Sequence, residues 1–139
     1  MLTRILSIDY GSKKVGLAIS DPLRIIAKPL KTIANVSFNS LMDELNNIIL
    51  EYSIDEFVIG FPLTLKNTYS EQTHKVEEFI NNVKDKLSIK ITIVDERLSS
   101  IEAKKSLIFQ GIKTGHNKKD VDMTAAAILL QSYLDNIEK

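Results

Sequence analysis

The chain carries acidic side chains at three distant positions that a fold could bring into one site. Asp9 follows one apolar run, and Asp95 and Glu96 follow another. Asp122 stands just before three consecutive alanines at positions 125–127. An ionised carboxylate at the end of a buried segment is costly unless it is paired or binds a cation. Together the three positions indicate a cation site.

The ligands at these positions are carboxylate oxygens, which suit Mg²⁺ or Mn²⁺. Two such ions roughly 3.5–4 Å apart can activate water and stabilise the leaving oxygen during hydrolysis of a phosphodiester bond. One carboxylate cannot hold two cations, whereas three or four from separate elements can. The residue types therefore predict a phosphodiesterase that uses two metal ions.

Basic residues flank all three acidic positions. Cations beside such a site can hold the phosphates of a nucleic acid. The predicted phosphate contacts are Lys13, Lys14, Arg97, Lys118 and Lys119. Two alternatives stay open, because Arg97 could pair with a neighbouring acid and each lysine pair could be ordinary solvated surface.

Each acid also has a structural interpretation that the sequence leaves open. Asp9 could bond to the backbone of the turn that follows it. Asp95 and Glu96 could form a surface ion pair or lead into a helix. Asp122 could complement the dipole of the last helix, and Asp120 is predicted to cap that helix.

The hydrophobic pattern predicts three strands followed by alternating helices and strands. Residues 4–9 and 15–20 form an antiparallel hairpin. A third strand over 25–33 carries Pro29, which places it at an edge or interrupts it. The remaining elements are a helix over 41–52, a strand over 56–60, a helix opened by a capping box at 68–71, a strand over 89–94, a helix over 99–111, a polar loop over 112–118 and a last helix over 120–137.

This order predicts an α/β fold with a five-stranded mixed sheet, an antiparallel meander followed by parallel strands, and helices on both faces. Sites in such sheets form at the carboxyl ends of the parallel strands. Because adjacent strand residues point to opposite faces, only one of Asp95 and Glu96 can face Asp9. Asp122 shares a helix face with the apolar residues three, four and seven positions later.

The composition limits the class of protein. A chain of 139 residues suits one domain over 1–139. The absence of cysteine excludes disulfides, thiolate catalysis and cysteine-bound zinc. We expect a cytoplasmic protein without membrane association, because no signal-peptide core or long apolar run is present. The net charge of zero counts against a large, sequence-blind nucleic-acid surface.

Four segments resemble the motifs of a known family, YqgF, also called RuvX. They are IDYGSKKVGLAISD at 8–21, IGFPL at 59–63, VDERLSS at 94–100, and KKDVD at 118–122 followed by two alanines and ILLQSYL at 128–134. The matches keep the family's order and span essentially the whole chain. One departure is that Thr64 and Asn67 stand where the family often has asparagine and glycine, with Lys66 where an acid is common.

The resemblance implies an RNase H-like fold related to Holliday-junction resolvases. It also implies a nuclease that matures the 5′ end of pre-16S rRNA in the bacterial cytoplasm. Carried over by motif, the catalytic acids and metal ligands are Asp9, Glu96 and Asp122, with Asp95 as an additional acid. The expected partner is precursor rRNA, within a pre-ribosomal particle, with branched DNA as the alternative and either a monomer or a homodimer as the assembly.

Two other classes of protein remain as alternatives. An actin-like phosphotransferase shares an Asp-x-Gly hairpin like the one at Asp9, but needs two such domains closing on ATP. A non-catalytic nucleic-acid-binding assembly factor could be built on a nuclease fold, because a fold does not determine a function.

Overall fold

The computed structural model describes residues 2–62, 69–96 and 118–137 of the chain, with the backbone alone described for 118–124. The strands are β1 (Arg4–Tyr10), β2 (Lys14–Ser20), β3 (Ala27–Ala34), β4 (Ile54–Phe61) and β5 (Lys90–Asp95). The helices are α1 (Phe38–Tyr52), α2 (Glu71–Lys86) and α3 (Lys118–Asn136). Among the described helices, none is long and apolar enough to cross a membrane.

The strands form one sheet in the order β3-β2-β1-β4-β5. Strand β2 runs antiparallel to both of its neighbours, β1 and β3, whereas β1, β4 and β5 run parallel. The predicted meander and the predicted parallel neighbours are both confirmed. This topology places the carboxyl ends of β1, β4 and β5 side by side. The end of the sheet that they form is called the carboxyl edge below.

The sheet separates two hydrophobic cores because side chains alternate along each strand. In β1, Leu6 and Ile8 pack into the core that contains the buried residues of α1 and α2. Ile5 packs into the second core, beneath α3. The prediction of helices on both faces is therefore confirmed. Asp9 lies four residues after Ile5, so strand alternation directs it to the α3 face.

Strand β3 lies at the edge of the sheet, as Pro29 predicts. Its register with β2 shifts where Leu17 opposes Lys31 but Ala18 opposes Pro29. Pro29 therefore marks both an edge strand and an interruption. The strand begins at Ala27, two residues later than predicted.

The predicted ends of two helices were wrong. Helix α2 is capped by Ser70, whose side chain accepts from the Thr73 amide while Thr73 bonds back to the Ser70 amide. The cap predicted at Thr68 is therefore wrong, because the helix is capped two residues later, at Ser70. Helix α3 already begins at Lys118, so Asp120 lies inside its first turn and is not the cap. The helix predicted over 99–111 and the loop at 112–117 lie outside the described residues.

A buried carboxylate in β4 ties α3 to the sheet. Glu56 is 2% exposed, and its Oε2 accepts hydrogen bonds of 2.7 Å from the hydroxyls of Thr92 and Tyr133. The guanidinium of Arg24 and the ammonium of Lys90 lie 3.7 and 3.9 Å from its Oε1. Because a buried charge is costly unless it is well partnered, these contacts resist sliding of α3 along the sheet.

We predict that Tyr133→Phe lowers the free energy of unfolding by about 1.5–3 kcal/mol, because the buried Glu56 carboxylate loses a hydrogen-bond donor. Urea unfolding followed by circular dichroism measures the change. Tyr52→Phe is the matched control, since the Tyr52 hydroxyl makes no hydrogen bond within the described part of the chain. Equal stability of the two variants would contradict a stabilising role for the Glu56 contacts.

Candidate active site

Asp9 is held near the end of the central strand by contacts around the β1–β2 turn. It opposes Gly16 in the antiparallel ladder. The Gln72 side chain of α2 donates to the Tyr10 carbonyl at 2.9 Å, and Asn35 donates from Nδ2 to the Gly11 carbonyl at 2.8 Å. Elements on both sides of the hairpin therefore fix the backbone immediately after Asp9.

Gly11 allows the turn to close this tightly. A Cβ atom at this position would lie 2.5 Å from the Lys14 carbonyl oxygen, a separation that side-chain carbon atoms do not adopt. The glycine is thus required by the close approach of two backbone segments. The turn leads directly from Asp9 into β2 and presents Lys13 to solvent.

Glu96 follows β5 and meets Asp9 at the carboxyl edge of the sheet. Both carboxylates line a cavity of about 270 Å³. Its opposite wall is the apolar face of α3, formed by Ala125, Ile128 and Leu129. The site is therefore a cleft between the parallel strand ends and the last helix, with two acids on one side and hydrocarbon on the other.

Burial raises the pKa of Glu96 from 4.5 to about 7, with the negative charge of Asp9 and a hydrogen bond to Asp9 as further causes. Two carboxylates that share one site cannot both ionise without mutual repulsion. Below about pH 7, Glu96 therefore carries a proton and is hydrogen-bonded to Asp9.

Gly60 provides the space for Glu96. A Cβ atom on Gly60 would lie 2.6 Å from Glu96 Oε1, 2.8 Å from its Cγ and 3.0 Å from Leu129 Cδ2. The backbone of β4 therefore forms the floor on which the Glu96 side chain rests. A glycine within a strand often marks a close approach, so the sequence signalled that a neighbour packs closely at Gly60 but did not identify that neighbour as Glu96.

The two adjacent acids separate by face. Asp95 opposes Phe61 in the β4–β5 ladder, and Phe61 packs against the core under α1 and α2. Strand alternation consequently directs Asp95 to that side, while Glu96 shares the cavity with Asp9. The charge of Asp95 still contributes to the raised pKa of Glu96.

The remaining predicted residues fall into three groups. Lys13 lies in the turn after Asp9 and Lys14 begins β2, and neither makes an ion pair within the described ranges. Arg97 lies outside the described residues. The backbone of α3 includes the last group, which consists of Lys118, Lys119 and Asp122.

Among the described residues, the potential metal ligands that line this cavity are the carboxylate oxygens of Asp9 and Glu96. No group of three or more acidic, histidine or cysteine side chains forms within the residues whose side chains are described. The described part of a cation site therefore consists of the Asp9 and Glu96 carboxylates. Their chemical type fits Mg²⁺ or Mn²⁺, and their shared proton is one that a divalent cation would displace.

The fold is of the RNase H-like class. The structure matches RuvC of T. thermophilus in complex with a Holliday junction substrate, with a TM-score of 0.63, 12% identity, and coverage of 96% of this chain and 95% of that one. It also matches the fowlpox virus Holliday junction resolvase, with a TM-score of 0.58, 17% identity, and coverage of 97% and 100%. At these identities the likeness concerns the fold alone.

Sequence comparison identifies the family. The model described as "RuvX: Holliday junction resolvase" matches residues 3–136, and the chain belongs to this RuvX family. Two curated relatives carry the name "Putative pre-16S rRNA nuclease". The protein from Desulforamulus reducens is 41% identical over 96% of this chain and 97% of its own length. The protein from Dictyoglomus turgidum is 39% identical over 96% and 95%.

We predict that Gly60→Ala lowers the activity of this site about tenfold or more, because the added methyl displaces the Glu96 carboxylate by a fraction of an ångström or more. Nuclease rates and Mn²⁺ affinity of folded protein measure the effect. A double-mutant cycle with Glu96→Asp tests the cause, since the shorter acid avoids the methyl and makes the two changes non-additive. Full activity of Gly60→Ala would show that Glu96 can move without loss.

We predict that Glu96→Gln stabilises the metal-free protein above pH 7 by about 1–2 kcal/mol, a figure reduced for partial solvent screening. The folded-state pKa of about 7 exceeds the ordinary 4.5, so the folded protein loses stability as pH rises between these values. Below pH 4.5 both states are protonated and the difference vanishes.

Urea unfolding in EDTA at pH 4 and pH 8 measures this difference. Glu51→Gln, which changes an exposed acid on α1, is the matched control and should show no such dependence on pH. A stabilisation by Glu96→Gln that is equal at both pH values would contradict the assignment of the penalty to an ionised Glu96.

Proposed function

We propose that this chain, acting as one domain over residues 1–139, is a metal-dependent nuclease that hydrolyses phosphodiester bonds in pre-16S rRNA. The observation that carries the proposal is the Asp9–Glu96 pair, which lines an open cleft at the carboxyl ends of parallel strands. Membership of the RuvX family and the names of the curated relatives support the same activity. Catalysis in the bacterial cytoplasm is part of the proposal.

Asp9 and Glu96 are proposed as ligands of Mg²⁺ or Mn²⁺, with Asp122 as the third acid and two ions as the full complement. Bound ions supply an activated water and stabilise the departing oxygen. Asp122 lies three residues before Ala125 and seven before Leu129, and both of these line the cavity. Helical periodicity supports the placement of Asp122 on the same stripe of α3.

The chain's own residues are proposed to position the cations and the substrate and to balance their charges. Glu96 gives up its proton at neutral pH at little cost, because its pKa lies near 7. Asp95 adds negative charge from the other face. Lys13 and Lys14 are proposed to contact phosphates beside the cleft, and Arg97, Lys118 and Lys119 are proposed to do the same from their positions in the chain.

Precursor rRNA is proposed as the substrate because the curated relatives that match the chain almost end to end are named for it. A substrate presented within a pre-ribosomal particle suits a protein with no net charge, since it does not depend on long-range attraction. Branched DNA is the second candidate, favoured by the family description and by the fold of the resolvases.

We predict that the protein cleaves a labelled pre-16S rRNA 5′ leader with Mn²⁺ or Mg²⁺ and not in EDTA. Asp9→Asn should lower the rate about 100-fold or more, because it removes a charged ligand at the centre of the site. Asp43→Asn, which makes the same change at an exposed position on α1, should retain the wild-type rate. A four-way DNA junction tested in parallel distinguishes the two substrates.

Three outcomes decide the proposal. Metal-dependent cutting of the leader that is lost in Asp9→Asn supports it. Preferential cutting of the junction transfers the function to branched DNA. If folded wild-type protein binds RNA and cuts neither substrate, the catalytic proposal fails and a binding role in assembly takes its place.

A further inference from the structure

We infer that Tyr69, supported by Phe61 and His74, forms a base-stacking platform at the same carboxyl edge of the sheet as the Asp9–Glu96 cleft but on the α2 face, and that the strand cleaved in the cleft is single-stranded RNA. This inference deepens the proposed function and rests on it. The three rings are called the aromatic platform below. None of them belongs to the acidic site, and the sequence patterns identified no role for Tyr69.

The platform starts one residue beyond the contact that holds Glu96. Gly60 lies under the Glu96 carboxylate, and Phe61 is the next residue and the last of β4. The Phe61 and Tyr69 rings meet edge to face, with centroids 5.5 Å apart and planes at 76°. The Tyr69 and His74 rings are 5.3 Å apart and tilted by 56°. Phe61 packs on the α1 and α2 face of the sheet, so this row of rings lies at the end of β4 on the face opposite the cleft.

Tyr69, the middle ring of this row, is accessible. Tyr69 is 48% exposed, whereas most large hydrophobic side chains of the described residues are buried in the two cores. A large aromatic side chain placed in water at the edge of the sheet that carries the cleft is a favourable surface for a nucleobase, because every base has a π-face. Tyrosine also tolerates the aqueous setting, since its hydroxyl remains solvated.

The backbone around Tyr69 is already ordered for binding. The next residue, Ser70, caps α2 through its reciprocal bonds with Thr73. The Thr73 hydroxyl also donates to the Pro62 carbonyl, which follows Phe61. Thr73 is fully buried and so ties the end of β4 to the start of α2. Because these contacts hold Phe61 and Tyr69 in place, stacking a base requires little additional ordering of the protein.

The platform distinguishes unpaired from paired nucleic acid. In a duplex the faces of the bases are covered by their neighbours, so a side chain cannot stack on them without extruding the base. An unpaired strand that crosses the carboxyl edge of the sheet can place a phosphate in the Asp9–Glu96 cleft and a neighbouring base on Tyr69. The geometry therefore favours a single strand at the cleavage position over an intact helix.

Binding by full-length protein in the Asp9→Asn background tests the inference without cleavage. The probes are an unstructured RNA 12-mer with 2-aminopurine at single positions and a blunt RNA duplex of the same sequence. Tyr69→Leu should weaken single-strand binding about 5- to 100-fold, abolish quenching of 2-aminopurine at one position, and leave duplex binding unchanged. Tyr69→Phe keeps the ring and should bind within about twofold of the parent.

The inference is overturned if Tyr69→Leu binds the single strand as tightly as the parent, or if it weakens single strand and duplex equally. Thermal unfolding confirms that the variants are folded. Cleavage by protein with an intact Asp9 is scored separately. If quenching depends on the Tyr69 ring but no metal-dependent cutting occurs, the platform is supported and the nuclease proposal is rejected. If cutting occurs and Tyr69→Leu does not change it, the platform alone is rejected.

Discussion

The close approach of two like charges, Asp9 and Glu96, is the constraint on which the rest of the site depends. Burial and mutual repulsion raise the pKa of Glu96 to about 7, so the metal-free fold must supply the energy that keeps the pair together. The parallel ladder provides it, because Ile8 opposes Ile59 and Gly60 opposes Val94 in one continuous sheet. Strands held by many cooperative hydrogen bonds cannot separate locally to relieve a single repulsion.

The cleft has two walls, and the second wall is held by contacts at both sides of the sheet. On the β3 side, Gln131 accepts from the Ala27 amide and donates to the Ile25 carbonyl, both at 2.9 Å. On the β5 side, Tyr133 bonds to the buried Glu56. Helix α3 is therefore fixed against both translation and tilt, with its small residues Ala126 and Ala127 fully buried against the strands. A rigid second wall keeps the distance across the cleft constant, as ligand positioning requires.

The parts of the fold that sequence reasoning predicted were those set by local pattern, and its errors arose where two patterns competed. Acids at the ends of short apolar runs identified Asp9 and the 95–96 pair, because strand order alone brings such ends together. The α2 cap was misplaced since Thr68 and Glu71 match the usual capping box better than Ser70 and Thr73 do, although the latter form it. The contact of Gly60 with Glu96 joins residues 36 positions apart and depends on the β4–β5 register, which no local pattern specifies.

Charge and stacking have separate tasks in a protein whose net charge is zero. Acids in the cleft repel a phosphate until cations neutralise them, and the lysines of the turn after Asp9 act only over a screened distance of about 8–10 Å. Neither effect distinguishes a single strand from a helix, because both carry the same phosphates. A ring at the same edge of the sheet does distinguish them, since it requires an open base face. Selection of single-stranded RNA can therefore depend on Tyr69, while the chemistry depends on the carboxylates. Gly60 contacts Glu96 and the next residue, Phe61, contacts Tyr69, so the end of β4 connects the two.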